Sequence, residues 1–244
     1  MFNPTRRNRN IGTAKQGHGQ NNKMIISWPA IVEKDFYERL GIFEKETREI
    51  NGNFYTFIIE ETRQHSRHAC SVSDVENILQ LIPPEDLKDL SLIIFRQPKR
   101  KEEILSSVWG RLIYSYEFEG NFQPAIIIEA IDYSKKLKWK KKLSVENQKE
   151  LNRLISDGHK FVDTGKMYEV DYVIDNVRNT QLYRTLLHEI GHYVHYLNVV
   201  VRPEVEDEDF EEWEKRSDFY FSIPSIEKEQ FAHSYAEQKR ILIK

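Results

Sequence analysis

The chain has 244 residues, 39% of them hydrophobic and 12% aromatic, enough for one ordinary domain with a real core. Charged residues make up 31% and the net charge is −3, which argues against whole-surface attraction to nucleic acid or to an anionic membrane. The single cysteine, Cys70, excludes an intramolecular disulfide and suits a reducing compartment. The first residues, Met1-Phe2-Asn3-Pro4-Thr5-Arg6-Arg7, lack the apolar core of a secretory signal. No run approaches the roughly 20 apolar residues of a spanning helix. The expected location is therefore cytoplasmic, with no membrane partner.

In chain order, residues 1–23 carry Arg6, Arg7, Arg9, Lys15 and Lys23 with no acid and little to bury, and are expected to form a disordered basic tail. Residues 24–244 read as a single globular domain. Asn51-Gly52-Asn53 reads as a turn feeding a strand over Phe54–Ile59. Ser71 or Ser73 is placed to cap a helix over Asp74–Leu81, which Pro83-Pro84 ends. Strands are expected at Leu90–Phe95, Gly110–Tyr116 and Ala125–Ala130, with a turn at Gly120-Asn121. The run Lys135-Lys136-Leu137-Lys138-Trp139-Lys140-Lys141-Lys142 interleaves an aromatic with charge and is the best nucleic-acid candidate. Exposed lysines between a strand and a helix are the plainer reading, so nucleic acid is not the expected partner. Ser144 is placed to cap a helix over Val145–Ser156, closed by Asp157-Gly158. Phe161-Val162 and Tyr168–Val173 suggest a short hairpin. The acidic stretch from Glu204 to Glu214 reads as a solvated loop, and a last helix is expected from Ser225 toward Leu242.

Between the hairpin and the acidic stretch lies a helix expected over Asn179–Asn198, with Leu182, Leu186, Leu187, Ile190, Val194 and Leu197 at helical spacing. It contains His188-Glu189-x-x-His192, the HExxH pattern of zinc-dependent hydrolases. Residues four apart share a helix face, so both histidines can point at one ion, and Glu189 sits one step round to handle a water. A catalytic zinc takes three protein ligands and keeps an open position. The metzincin extension would place Gly and then His three and six residues after the second histidine. Those positions hold His195 and Asn198, so the third ligand must come from elsewhere. Glu229-Gln230-Phe231-Ala232-His233 offers two candidates, Glu229 and His233, on one face of the last helix, with Glu227 a more distant third.

With these two segments the sequence resembles the glutamate-type zincins, specifically the catalytic domain of the anthrax lethal factor kind, which pairs HExxH with E-x-F-A on a following helix. The likeness covers roughly residues 178–240. It implies an α+β, zincin-like fold: a small mixed sheet with a helix on it, then the HExxH helix, then a C-terminal ligand-bearing helix. It also implies Zn2+ as cofactor, Glu229 as third ligand, and His233 one turn later where that kind carries glutamate. Because histidine itself binds zinc, His233 stays open as a substitute ligand. The same pattern has an oxyanion-binding tyrosine seven residues before the ligand glutamate. Ser222 stands there, so Tyr220 is the nearest candidate, with Tyr193 and Tyr235 as others. A thiol mask from Cys70, near His68, is the less economical reading of a lone cysteine.

The expected activity is zinc-dependent hydrolysis of peptide bonds in a protein or peptide substrate, with Glu189 as general base. Two alternatives stand beside it. One is a zincin-like binding or structural module without catalysis, for which a closed shell including His233 would speak. The other is a nucleic-acid-linked regulator using the tail and the lysine run. Neither the substrate's identity nor the oligomeric state is written in these residues.

Overall fold

The computed structural model describes residues 37, 39–105, 108–203 and 208–243, so the basic tail expected at 1–23 lies outside the described residues. Strand β1 (Phe43–Ile50) turns back into β2 (Asn53–Glu60) through Asn51 and Gly52, at φ 51° and 80°. Two-residue hairpin turns need this left-handed pair, which Asn-Gly adopts readily. β2 lies parallel to β4 (Leu92–Arg96), which lies parallel to β6 (Asn121–Glu129). β5 (Gly110–Phe118) pairs antiparallel with β6 and forms the sheet edge, giving the order β1-β2-β4-β6-β5. The architecture is thus mixed α+β around a mixed sheet.

The central strands read as continuous apolar runs because both faces are buried. Ile58, Ile94 and Ile127 are as inaccessible as Phe57, Ile93 and Ile126, their neighbours on the other face. β1 has the opposite character. Its sequence, Phe-Glu-Lys-Glu-Thr-Arg-Glu-Ile, is exposed almost throughout, which explains why no alternation announced it. Charges on an outer strand also discourage further edge pairing.

Helix α1 (Val72–Leu79) starts at Ser71, whose hydroxyl accepts from Asp74 N while the Asp74 carboxylate accepts from Ser71 N. This reciprocal cap satisfies two free amides of the first turn. Val75, Ile78 and Leu79 are buried in the core. A short helix, α2 (Arg100–Leu105), follows β4. Strands β3 (Ser66–Arg67) and β7 (Ile131–Asp132) form a two-residue ladder.

The lysine run is itself a strand: Lys136–Lys140 forms β8, paired with β10 (Met167–Asp171), which also pairs with β9 (Val162–Asp163). Alternation sends lysines to one face and Leu137 and Trp139 to the other. Lys136 and Lys138 lie 3.2 Å from Asp171 and Glu169, and Lys141 contacts Asp163, so acids of the same sheet meet these lysines. Helix α3 (Val145–Ser156) is capped by Ser144 and closes at Gly158, φ 104°.

From Ile174 to Val201 the chain is one rod: α4 (Ile174–Thr180), a π segment over Gln181–Leu186, α5 (Leu187–Tyr196), and a second π segment over Leu197–Val201. Leu186, Leu187, Ile190, Val194 and Leu197 join the same core as Phe57, Ile93, Phe95, Ile126 and Ile128. After it the acidic stretch departs from expectation. Residues 204–207 lie outside the described residues, but Asp209 caps a helix, α6 (Phe210–Ser222), by accepting from Glu212 N. Glu211 and Glu212 occupy its first turn, where the positive helix end favours acids. The last helix is α7 (Ser225–Ile243). Among the described residues, no helix is long and apolar enough to cross a membrane.

Two imidazoles, His159 buried and His68 half-buried, make folding sensitive to acid. His159 is 1% exposed against Thr180 Oγ1 at 3.0 Å, and His68 Nε2 lies 2.8 Å from the Glu60 carbonyl. Burial holds both below the ordinary histidine range. Each therefore contributes stability above the unfolded value of about 6.5, which is lost as pH falls through the depressed folded value. Melting curves in chelator, which removes any metal contribution, should shift to lower temperature between pH 7 and pH 5. His159→Gln should flatten part of that slope, and a Tm independent of pH in this window would contradict the assignment.

Candidate metal centre

The centre lies where α5 crosses α7, and the approach is close because Gly191 has no side chain. A Cβ at Gly191 would sit 2.9 Å from both the Cα and the carbonyl oxygen of Ala232, and 3.2 Å from Tyr235 Cβ. With Ala232 opposite, the helix backbones nearly touch, and Glu229, less than one turn before Ala232, comes up against His188 and His192.

Three side chains form a triangle there. His188 Nε2 and His192 Nε2 are 3.1 Å apart, and Glu229 Oε2 and Oε1 lie 3.2 and 3.4 Å from them respectively. These residues are the one cluster with metal-ligand geometry among the described residues. A tetrahedral ion with bonds of 2.0–2.1 Å requires donor separations of about 3.3–3.4 Å. The three side chains stand near that spacing, and two imidazoles with a carboxylate are a donor set that catalytic zinc takes. The hydrogen bonds and charge of the two imidazoles hold the Glu229 carboxyl well below its ordinary range, so it is available as an anionic ligand.

His233 does not belong to the triangle. Its ring packs 4.4 Å from that of His188, but its Nε2 lies 3.1 Å from Arg153 Nη1 and 3.9 Å from Glu229 Oε2. Burial, with the charges of His188 and Arg153, pushes its pKa down to about 4. His233 is therefore a neutral acceptor for the Arg153 guanidinium. Of the candidate third ligands, the structure brings Glu229 to the histidines and turns His233 to Arg153. Glu227 is exposed on α7.

Glu189 lies beside the triangle with its carboxylate fixed from the sheet: Leu112 N, on edge strand β5, donates to Oε2 at 2.8 Å. Burial raises its pKa against the opposing pull of His188 and His192, which makes the carboxylate a better proton acceptor. A cleft of about 420 Å³ opens onto His188, Glu189 and Glu229. Its walls are largely apolar, with Trp109, Ile131, Leu137, Trp139, Leu154 and Tyr172.

Tyr220 does not stand as an oxyanion donor. It is fully buried (0% exposed), its hydroxyl donates to the His192 carbonyl at 3.2 Å, and Tyr114 O–H in turn lies 2.6 Å from it. It props the HExxH helix from α6 and faces an aromatic cluster with Tyr114, Tyr196 and Phe221. The other tyrosines are committed as well: Tyr193 donates to the Lys88 carbonyl and Tyr235 to Asp86 Oδ2 at 2.9 Å. Cys70 is buried with Sγ 3.6 Å from Gln181 Oε1, so it does not cap the triangle. His195 stacks on Phe231 at 4.4 Å.

No motif in the sequence marks Arg184 as part of this site. It sits four residues before His188 on the same rod, donates through Nε to Asp157 Oδ2 at 2.8 Å, and binds Glu150 of α3 through Nη1. Arg240 of α7 reaches Asp157 Oδ1 at 3.3 Å. This ion network ties α3, the HExxH rod and α7 together around the ligands. The helical spacing of Arg184 to His188 was the available signal; its partners are remote in sequence and carried none. No family model matches this chain, and none of the curated proteins or solved structures compared with it matches either.

Proposed function

We propose that this chain is a zinc-dependent metallopeptidase of glutamate-type, zincin-like architecture, hydrolysing peptide bonds of a protein or peptide substrate. The observation that carries the reading is the donor triangle of His188, His192 and Glu229 with the carboxylate of Glu189 beside it. A purely structural metal site has no use for that fourth residue. The order of elements adds support, since the mixed sheet precedes the HExxH helix and a ligand-bearing helix follows.

The roles follow from position. A zinc ion in the triangle would polarise the scissile carbonyl and lower the pKa of a water molecule from about 15.7 toward about 7. Glu189 would accept a proton from the attacking water and, as the C–N bond breaks, deliver it to the leaving amine. The Leu112 amide occupies one carboxylate oxygen and sets the plane of the other. The apolar walls of the cleft strip water from the substrate and strengthen the electrostatics around the reacting atoms.

The test joins metal and turnover. Purified protein should hold one zinc per chain, cleave a mixed peptide library, lose cleavage in chelator and recover it on zinc addition. Zinc should also raise the melting temperature, since ligand at a thousandfold excess over Kd stabilises by about 4 kcal/mol. Cleavage that survives complete removal of metal would overturn the proposal.

A further inference from the structure

The lysine run has a use that its charge conceals. Leu137 and Trp139, on the face of β8 opposite the lysines, both line the cleft that opens onto His188, Glu189 and Glu229. Both side chains are half-buried, while Lys136, Lys138 and Lys140 are exposed. Pairing with β10 sets Leu137 against Val170 and Trp139 against Tyr168, and the acids Asp171 and Glu169 of β10 hold Lys136 and Lys138. The lysines thus fasten the strand from its outer face and leave the inner face to the cleft.

Trp109 and Tyr172 complete the wall from two other segments. Their rings meet edge-on at 5.9 Å. Trp109 also packs 5.6 Å from the buried His159, and Tyr172 lies 6.4 Å from Tyr133, so neighbours fix both rings. Trp139 differs: among the described residues it has neither a ring contact nor a hydrogen bond. Ile131 and Leu154 close the floor and are buried. Outside the metal centre the charged pair of the cleft, Glu150 and Arg184, is bound to itself, and His233 is committed to Arg153. The cleft therefore offers a ligand apolar and aromatic surface, with little unspent charge.

We infer that Leu137, Trp139, Trp109 and Tyr172 form the subsite for a bulky apolar side chain of the substrate, aromatic or long aliphatic, beside the bond that is cut. Trp139 is its specificity determinant. The inference rests on the peptidase reading and deepens it by naming the class of substrate residue. An aromatic side chain entering the cleft meets rings in edge or offset contact, the arrangements that aromatic pairs prefer. A charged side chain would shed its water against the same walls and find no partner that is not already taken. The wall and the metal ligands line one cleft, so the residue that fills it stands next to the reacting carbonyl.

The test measures binding without turnover, on zinc-loaded Glu189→Gln protein, by fluorescence anisotropy. The probes are fluorescein-labelled dodecapeptides in which one phenylalanine is moved through an alanine-serine-glutamine background, with leucine, alanine, lysine and glutamate as comparisons at each position. Hydrophobic pockets discriminate by roughly tenfold or more for each methylene, so in one register phenylalanine and leucine should bind at least about tenfold tighter than the others. Trp139→Ala should cut that ratio to about threefold or less, and Trp139→Phe, which keeps an aromatic wall, should restore most of it. If Trp139→Ala fails to fold, Leu137→Ser decides by the same loss. A role in packing alone would lower the Tm of these variants and leave the ratio where it was. Equal binding in every register, no peptide binding at all, or a ratio that survives Trp139→Ala in folded protein would overturn the subsite. Turnover of the same peptides by the unaltered chain separates the two claims. Discrimination without hydrolysis sinks the peptidase reading and keeps the subsite, and hydrolysis without discrimination does the reverse.

Discussion

Replacing Glu189 by glutamine is expected to slow peptide hydrolysis by about 10²–10⁴-fold, the range for loss of a positioned general base, with zinc stoichiometry unchanged. Glutamine has nearly the same shape, and its amide oxygen can still accept from Leu112 N, which bonds Glu189 Oε2 at 2.8 Å. The ligands therefore stay in place while the proton acceptor is removed. Initial rates on a cleaved peptide, with metal content measured on the same preparation, make the comparison. A zinc-replete variant that hydrolyses at the unaltered rate would take Glu189 out of the chemistry.

Gly191→Ala should damage the centre without touching a ligand. On helix propensity it ought to help, since alanine is better than glycine in a helix by about 1 kcal/mol. Here the added methyl meets Ala232 Cα and O at 2.9 Å, and backbone cannot swing aside as a side chain does. Overfilling a packed contact costs about 1–3 kcal/mol, so the net effect is a loss of stability. The larger consequence is that α7 must move outward and carry Glu229 from His188 and His192. Zinc affinity, read by competition with a chromophoric chelator, should fall at least tenfold. An unchanged affinity together with a raised Tm would show that the crossing has room for the methyl.

How far these features were visible in the sequence depends on the range of the interaction that makes them. His188, Glu189 and His192 lie within one helical turn or so, and a period of 3.6 is enough to put them on one face. The caps at Ser71 and Ser144 were legible for the same reason: each bonds an amide three residues on. The segment Glu229–His233 was visible, but the choice within it was not, because it turns on Arg153 of α3 claiming His233. Tyr220 failed as a catalytic candidate for a related reason. Distance along the chain does not say which way a ring points, and this one points into the helix it was expected to serve. β1, β8 and α6 escaped because they are rich in charge: the lysines of β8 read as simply exposed, the start of α6 as a solvated loop, and β1 was passed over. β8 and α6 each keep one apolar side or end, while β1 rests on hydrogen bonds to a buried neighbour.

The crossing at Gly191 has one more consequence, for what holds the last helix down. On its own account α7 has few apolar anchors: Ala232, Tyr235 and Ala236 are its buried residues, while Ile226, Ile241 and Leu242 are exposed. An ion bonded to two side chains of α5 and one of α7 would join the helices as a clasp. Occupancy of the site and docking of the helix would then be linked, and a chelator that empties the site would also loosen the helix that completes it.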